Sequence, residues 1–224
     1  MKLLCLADEE NKGLWDFYHR DRVGDVDLII SCGDLDPSYL EFLVSMTNVP
    51  VLYVHGNHDD KYEMKPPLGC TCIDDDIYDH KGLRIMGLGG SMKYGAKKNM
   101  YTEREMEKRV KKLRKKAVLM GGIDILVTHA PAAGYGDLED LPHHGFECFN
   151  DLLNEFKPLY MLHGHVHMNY GKVSRETDHP SGTKIINCFD KYELTIPESA
   201  FPAQGETGSA MYDLYMRLMN RRKR

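Results

Sequence analysis

Residues able to hold divalent metals gather where apolar runs end. Leu3-Leu4-Cys5-Leu6-Ala7 is followed by Asp8-Glu9-Glu10, and the run at 26–31 leads to Gly33-Asp34-Leu35-Asp36. Val51-Leu52-Tyr53-Val54 leads to Gly56-Asn57-His58-Asp59. Later come Thr128-His129-Ala130-Pro131 and His163-Gly164-His165-Val166-His167. Each fragment alone is weak, since a Gly-Asp is usually a turn and a single histidine is usually structural. Five of them at successive strand ends are another matter. Carboxylates crowded at one point repel unless cations neutralise them. A mixture of Asp, Glu, Asn and His suits borderline to hard divalent ions and not a thiolate zinc site. Asp8 and Glu10 are two residues apart, so an extended backbone points both to one side, and the same holds for His165 and His167. Glycines at 33, 56 and 164 let the chain turn sharply and bring these groups together.

The elements that must position them alternate. Short apolar runs predict strands at 3–7, 26–31 and 51–54, with helices between at 14–20 and from Pro37 to about 46. Trp15 and Tyr18 would share one face of the first helix. This strand–helix order predicts a parallel sheet with crossovers. Further strands are expected at 83–88, 123–128, 159–163, 184–189 and 191–196, the last two as an antiparallel hairpin, and helices at 102–119 and 146–157. Thr102 with Glu105 is a capping box for the helix at 102–119. In an open α/β sheet, ligands bind outside the carboxyl ends of the strands, where all five fragments fall.

In this order, Gly33-Asp34, Gly56-Asn57-His58-Asp59, His129 and Gly164-His165-Val166-His167 resemble the signature of the calcineurin-like metallophosphoesterases. The resemblance covers residues 2 to about 190. It implies a four-layer α/β sandwich of two mixed β-sheets flanked by helices, with two divalent metals at one edge. It implies that Asp8, Asp34 and His167 hold the first metal. Asp34 would bridge to a second held with Asn57, His129 and His165, and His58 would stand beside them to assist the leaving group. Asp59 or a backbone carbonyl would set the tautomer of His58. The first motif departs from the family, which has Asp-x-His there. Glu10 takes the histidine position, and as an oxygen ligand to the first metal it would favour Mn²⁺, with Mg²⁺ or Fe²⁺ as alternatives, over Zn²⁺. The chemistry is consistent: two cations roughly 3.5–4 Å apart can acidify a water and clamp phosphoryl oxygens. The expected activity is hydrolysis of a phosphomonoester or phosphodiester. The rival is a non-catalytic interaction scaffold of the same fold with an impaired first metal site.

Around this set, the glycine-rich loop at 89–95 places Tyr94, and the segment after it Asn99, as candidate substrate contacts. His143 and His144 lie in a stretch that is either an exposed loop or a substrate-facing wall. The chain of 224 residues divides into a domain at 1–196 and, at 197–224, a linker with a short helical tail. In that tail Met211, Leu214, Tyr215 and Leu218 have helical spacing, ahead of Arg221-Arg222-Lys223-Arg224. Such a helix docks on its own domain or on a second copy. The net charge of -5 hides an asymmetry, with 8 Lys and Arg against 17 Asp and Glu in residues 1–92, then 11 against 3 in residues 93–120. The acidic balance argues against a nucleic-acid partner and for a small phosphoester. The absence of a long apolar stretch argues for a cytoplasmic protein without membrane contact. The six cysteines form no disulfide framework. Cys70 and Cys72 are a Cys-x-Cys pair, but no neighbouring histidine or second pair completes a metal set, so all six are read as structural.

Overall fold

The computed structural model describes residues 1–170 and 173–222, with side chains through 219. One large sheet holds β1 (Lys2–Ala7), β2 (Leu28–Ser31), β3 (Val51–Tyr53), β4 (Thr71–Cys72) and β13 (Asp190–Thr195), in the order β13-β1-β2-β3-β4. The other holds β5 (Asp76–His80), β6 (Leu83–Leu88), β9 (Ile125–Thr128), β10 (Tyr160–His163), β11 (Glu176–Asp178) and β12 (Lys184–Asn187), in the order β11-β12-β10-β9-β6-β5. Both are mixed. β13 runs antiparallel to β1, β5 to β6, and β11 to β12, while the central neighbours run parallel. A short ribbon of β7 (Ser91–Met92) and β8 (Met100–Tyr101) lies apart.

Alternation along β1 assigns the layers. Leu3, Cys5 and Ala7 join residues such as Ile85, Ile125, Leu162 and Ile186 in a core between the two sheets. Leu4 and Leu6 face the other way, onto Leu40 and Leu43 of α1 (Pro37–Thr47). On the far side of the second sheet, α2 (Glu103–Leu119) and α3 (Glu147–Phe156) bury Met106, Leu113, Phe149 and Leu152. This is the expected four-layer sandwich. α1 starts where Asp36 accepts from the Ser38 amide at 2.8 Å with Pro37 in the first turn. α2 starts at the Thr102–Glu105 capping box.

Two local expectations are corrected. Over residues 14–20 the chain forms turns through 17 and enters a 3-10 turn at Arg20–Arg22, not a helix. Their aromatic residues serve packing: Trp15 and Tyr18 lie 5.6 and 5.2 Å from the Phe42 ring of α1. Nor do the runs at 184–189 and 191–196 make a hairpin. β12 pairs with β10 and β11, whereas β13 pairs with β1 in the opposite sheet. The chain crosses between sheets at 188–190, and Asp190 takes a φ of 63° there. After a 3-10 turn at Glu198–Ala200, α4 (Ala210–Arg222) closes the described chain. Tyr212 donates to Asp79 at 2.7 Å and Ser209 to the Leu119 carbonyl at 2.6 Å, which docks the start of α4 on the second sheet and α2. Met211, Leu214, Tyr215 and Leu218 remain exposed. Of the terminal basic run, Lys223, Arg224 and the side chains of Arg221 and Arg222 lie outside the described residues. Among the described residues no helix is long and apolar enough to cross a membrane.

Candidate metal centre

β1, β2 and β3 end at Asp8, Asp34 and the loop of Asn57. β9 and β10 of the other sheet end at His129 and the loop of His165 and His167. The two sets meet at one edge of the sandwich through two matching turns. Asp8 has a φ of 66° and His165 a φ of 67°. Each is spanned by a bond from the next amide to the preceding carbonyl, Glu9 to Ala7 at 2.7 Å and Val166 to Gly164 at 2.8 Å. These are γ-turns, a strained conformation that persists only where the surroundings enforce it. They face each other, and the Asp8 carboxylate accepts from the His165 amide at 2.9 and 3.0 Å. Glycine is required beneath them. A Cβ on Gly164 would stand 2.6 Å from the Ala7 Cβ, and one on Gly56 would stand 2.0 Å from Asp34 Oδ1.

Asp8, Asp34 and His129 each offer a ligand atom, all within 4.8 Å of one another. His129 is fully buried, and its Nδ1 lies 2.8 Å from the Cys32 carbonyl, which assigns the ring proton to Nδ1. The lone pair on Nε2 then faces Asn57 Oδ1 at 2.9 Å and Asp34 Oδ2 at 3.3 Å. Three acceptors converge with no donor between them among the described residues, and a proton or a cation satisfies them. Without a cation the ring takes the proton. Burial opposes this, but the charge of Asp34 wins and lifts His129 to about 9. Burial likewise weighs against the Asp34 charge, and attraction to His129 with the His58 amide bond at 2.7 Å holds it at about 2. Asp8 is pushed up to about 7, first by burial and also by Asp34. These are sites that a cation would satisfy better than protons, so the residues fit a divalent metal.

His165 donates through Nε2 to the Pro142 carbonyl at 2.6 Å, which leaves the Nδ1 lone pair free for a cation, and burial with the neighbouring His129 pushes it down to about 3. His167 sits with Nε2 4.0 Å from Asp8 Oδ1 and stacks on Tyr170 at 4.7 Å. Together with Asp8, Asp34, Asn57, His58, Tyr94 and His143, they line a cavity of about 440 Å³.

The structure sets other candidates apart. Glu10 does not reach the cluster. The γ-turn at Asp8 breaks the alternation that would have placed the two side chains together, and Glu10 Oε1 instead accepts from the Asp36 amide at 2.8 Å. Asp59 does not touch the His58 ring. Its Oδ2 takes the Asp34 and Gly56 amides at 2.8 and 2.7 Å and so holds the loop. Asn99 bonds through its backbone carbonyl to the Ser91 amide and is absent from the cavity lining. His144 faces Asp137 at 3.7 Å, outside that lining. His143 is at the cavity, its ring 5.2 Å from that of His165, and the Tyr94 hydroxyl accepts from Asn57 Nδ2 at 3.0 Å. The sequence reading missed Lys97 and Tyr170. Lys97 Nζ stands 2.6 Å from His58 Nδ1, a contact that depends on the path of the loop between β7 and β8 and leaves no mark in local pattern.

A sandwich of two mixed sheets with carboxylate, amide and imidazole ligand groups at its shared edge defines a class of α/β folds suited to divalent metals. The chain belongs to the calcineurin-like phosphoesterase family, whose model matches residues 8–169. Two UPF0046 proteins of Caenorhabditis elegans are similar to it. One is 35% identical over 73 residues, 32% of this chain and 17% of the relative. The other is 30% identical over 139 residues, 57% of this chain and 47% of the relative. The chain thus spans less than half the length of the curated relatives it matches. The fold is shared with a solved structure at a TM-score of 0.64 and 14% identity, covering 86% of this chain and 94% of that one. It is shared also with TT1561 of Thermus thermophilus, at a TM-score of 0.58 and 17% identity, covering 84% and 89%.

Proposed function

We propose that the protein hydrolyses a phosphomonoester or phosphodiester with two divalent cations held at this edge. The observation that carries the reading is the convergence of His129 Nε2, Asp34 Oδ2 and Asn57 Oδ1, with no donor between them among the described residues, beside a buried Asp8. Asp8, Asp34 and His167 would hold one cation, and Asp34, Asn57, His129 and His165 the other. When bound, the cations supply Lewis acidity, which acidifies a water and offsets charge on the phosphoryl oxygens. Without Glu10 the set mixes carboxylate and amide oxygen with imidazole and lacks sulfur, which suits borderline divalent ions, Mn²⁺ or Fe²⁺ before Mg²⁺.

The chain's own residues do the rest. Asp34 spends Oδ1 on the His58 amide and keeps Oδ2 toward His129. Tyr94 orients the Asn57 amide so that its oxygen faces the cluster. With Lys97 donating to Nδ1, the proton of neutral His58 resides on Nε2, free to pass to a leaving oxygen. The Lys97 ammonium adds positive charge at the cavity for an anionic ester. Glu10 acts by fixing the start of α1 and holds no metal.

The test is a matrix of Mn²⁺, Mg²⁺, Zn²⁺, Fe²⁺ and Ni²⁺ against an aryl phosphomonoester, an aryl phosphodiester and cyclic nucleotides. The proposal expects at least one metal-dependent hydrolysis. Inactivity throughout, in folded and metal-loaded protein, would leave the scaffold reading in its place.

A further inference from the structure

A second set of donors lies outside the catalytic cluster. His55, Cys72 and Asp74 each offer a ligand atom, and the three atoms lie within 4.8 Å of one another. In the chain they are far enough apart that the Cys70–Cys72 pair shows no partner. The fold supplies one. β4 pairs in parallel with β3, with Cys72 opposite Tyr53, so the thiol stands beside the end of β3, where His55 follows. Asp74 then folds back onto His55. Its Oδ2 lies 2.5 Å from His55 Nδ1 and accepts the His55 amide at 2.9 Å. Its Oδ1 takes the Gly89 amide and, at 3.4 Å, Arg109. The carboxylate is thus divided, one oxygen tying neighbouring elements and the other turned to the imidazole. Cys72 is exposed on the outermost strand of its sheet, so solvent reaches the group.

We propose that His55, Cys72 and Asp74 form a third metal site, separate from the phosphoesterase cluster, for a thiophilic divalent cation of the zinc class. One sulfur, one imidazole nitrogen and one carboxylate oxygen, with a fourth position open to water, is a tetrahedral zinc donor pattern. Bonds of about 2.0–2.3 Å set tetrahedral donors roughly 3.3–3.8 Å apart, so the 2.5 Å contact between His55 and Asp74 opens on binding while Cys72, within 4.8 Å of both, swings in. The cation takes the place between the imidazole and Oδ2, while Oδ1 keeps Gly89 and Arg109. Its role is to pin the loop base. The His55 carbonyl accepts the Gly90 amide at 2.7 Å, and Asn57 and His58 follow directly on the same loop.

Sulfur makes the two sites distinguishable. The proposed ligands of the catalytic cluster are oxygen and nitrogen, so a thiolate-to-cobalt charge-transfer band in the near ultraviolet that depends on Cys72 reports on this site. The full chain, stripped of metal, is titrated with Co²⁺. The band is expected to appear, to saturate at one ion per chain, and to be displaced by Zn²⁺. It should vanish in Cys72→Ser and survive in Cys70→Ser and in Asp34→Asn. Elemental analysis should count one zinc fewer per chain in Cys72→Ser, and circular dichroism checks that this variant is folded. His55→Gln, which keeps the thiol, should lose the band as well. No band in the parent chain, or a band that persists in Cys72→Ser or His55→Gln, overturns the site.

Discussion

Asp34 is the side chain on which the rest of the cluster depends. It faces His129, receives the His58 amide and stays ionised despite burial, its carboxyl held down at about 2. Asp34→Asn is therefore expected to cost more activity than any other single ligand change, with metal analysis showing both ions weakened. Activity near that of the parent in Asp34→Asn, beside a dead His129→Ala, would remove its bridging role. His58 is placed differently, exposed at the cavity with a lysine on one nitrogen. His58→Ala should lower turnover by roughly 10²–10⁴-fold, the usual worth of a general acid, with metal content unchanged. One ion missing from that variant would make His58 a ligand. At this scale the sequence was most legible for the placement of Asp34, Asn57, His129, His165 and His167 at one edge, because each falls within a few residues of a strand's carboxyl end. Glu10 was misplaced because alternation presumes extended backbone, and Asp8 is not extended.

At the scale of elements, the paired γ-turns decide the geometry. They are possible because Gly164 carries no side chain where the two loops touch. Gly164→Ala would set a Cβ 2.6 Å from the Ala7 Cβ and 2.7 Å from Asp8 Oδ2, neither of which can yield freely. It should lower stability by about 1–3 kcal/mol in denaturant unfolding, as overpacking does, and reduce metal stoichiometry. Full stability with full metal loading would show that the loops part without cost. Strands were legible as elements because buried runs leave little else to form. Their pairing was less so. β12 and β13 are adjacent in sequence and belong to different sheets, and the switch depends on a three-residue crossing whose only sign is a left-handed Asp190. The aromatic residues at 15 and 18 mimicked a helix face because they pack on one, α1, without forming one.

For the whole molecule, the cluster joins the two sheets: Asp8, Asp34 and Asn57 come from one, His129, His165 and His167 from the other. Cations bound there link the sheets and stabilise the native state by mass action. The metal-free protein has a defined pH response. His129 titrates at about 9 in the fold against 6.5 in a free ring. The native state then holds more protons than the unfolded one between those values, and stability falls as pH rises through them, by up to about 3 kcal/mol for a shift of this size. Asp8, raised to about 7 from 3.8, acts in the same direction at lower pH. Metal-free melts should therefore show a falling Tm from pH 6.5 to 9, and added Mn²⁺ should raise Tm most at the alkaline end. A metal-free Tm that rises over this range would contradict the acceptor geometry at His129.

Whether hydrolysis belongs to cations held at the shared edge of the two sheets is decided by one rate. Turnover of an activated aryl phosphoester is measured in protein stripped of metal by chelation, before and after Mn²⁺ is returned. Stripping should abolish turnover, and Mn²⁺ should restore it in the parent chain, with little recovery in Asp34→Asn. Turnover undiminished in the stripped protein would contradict a role for the cations.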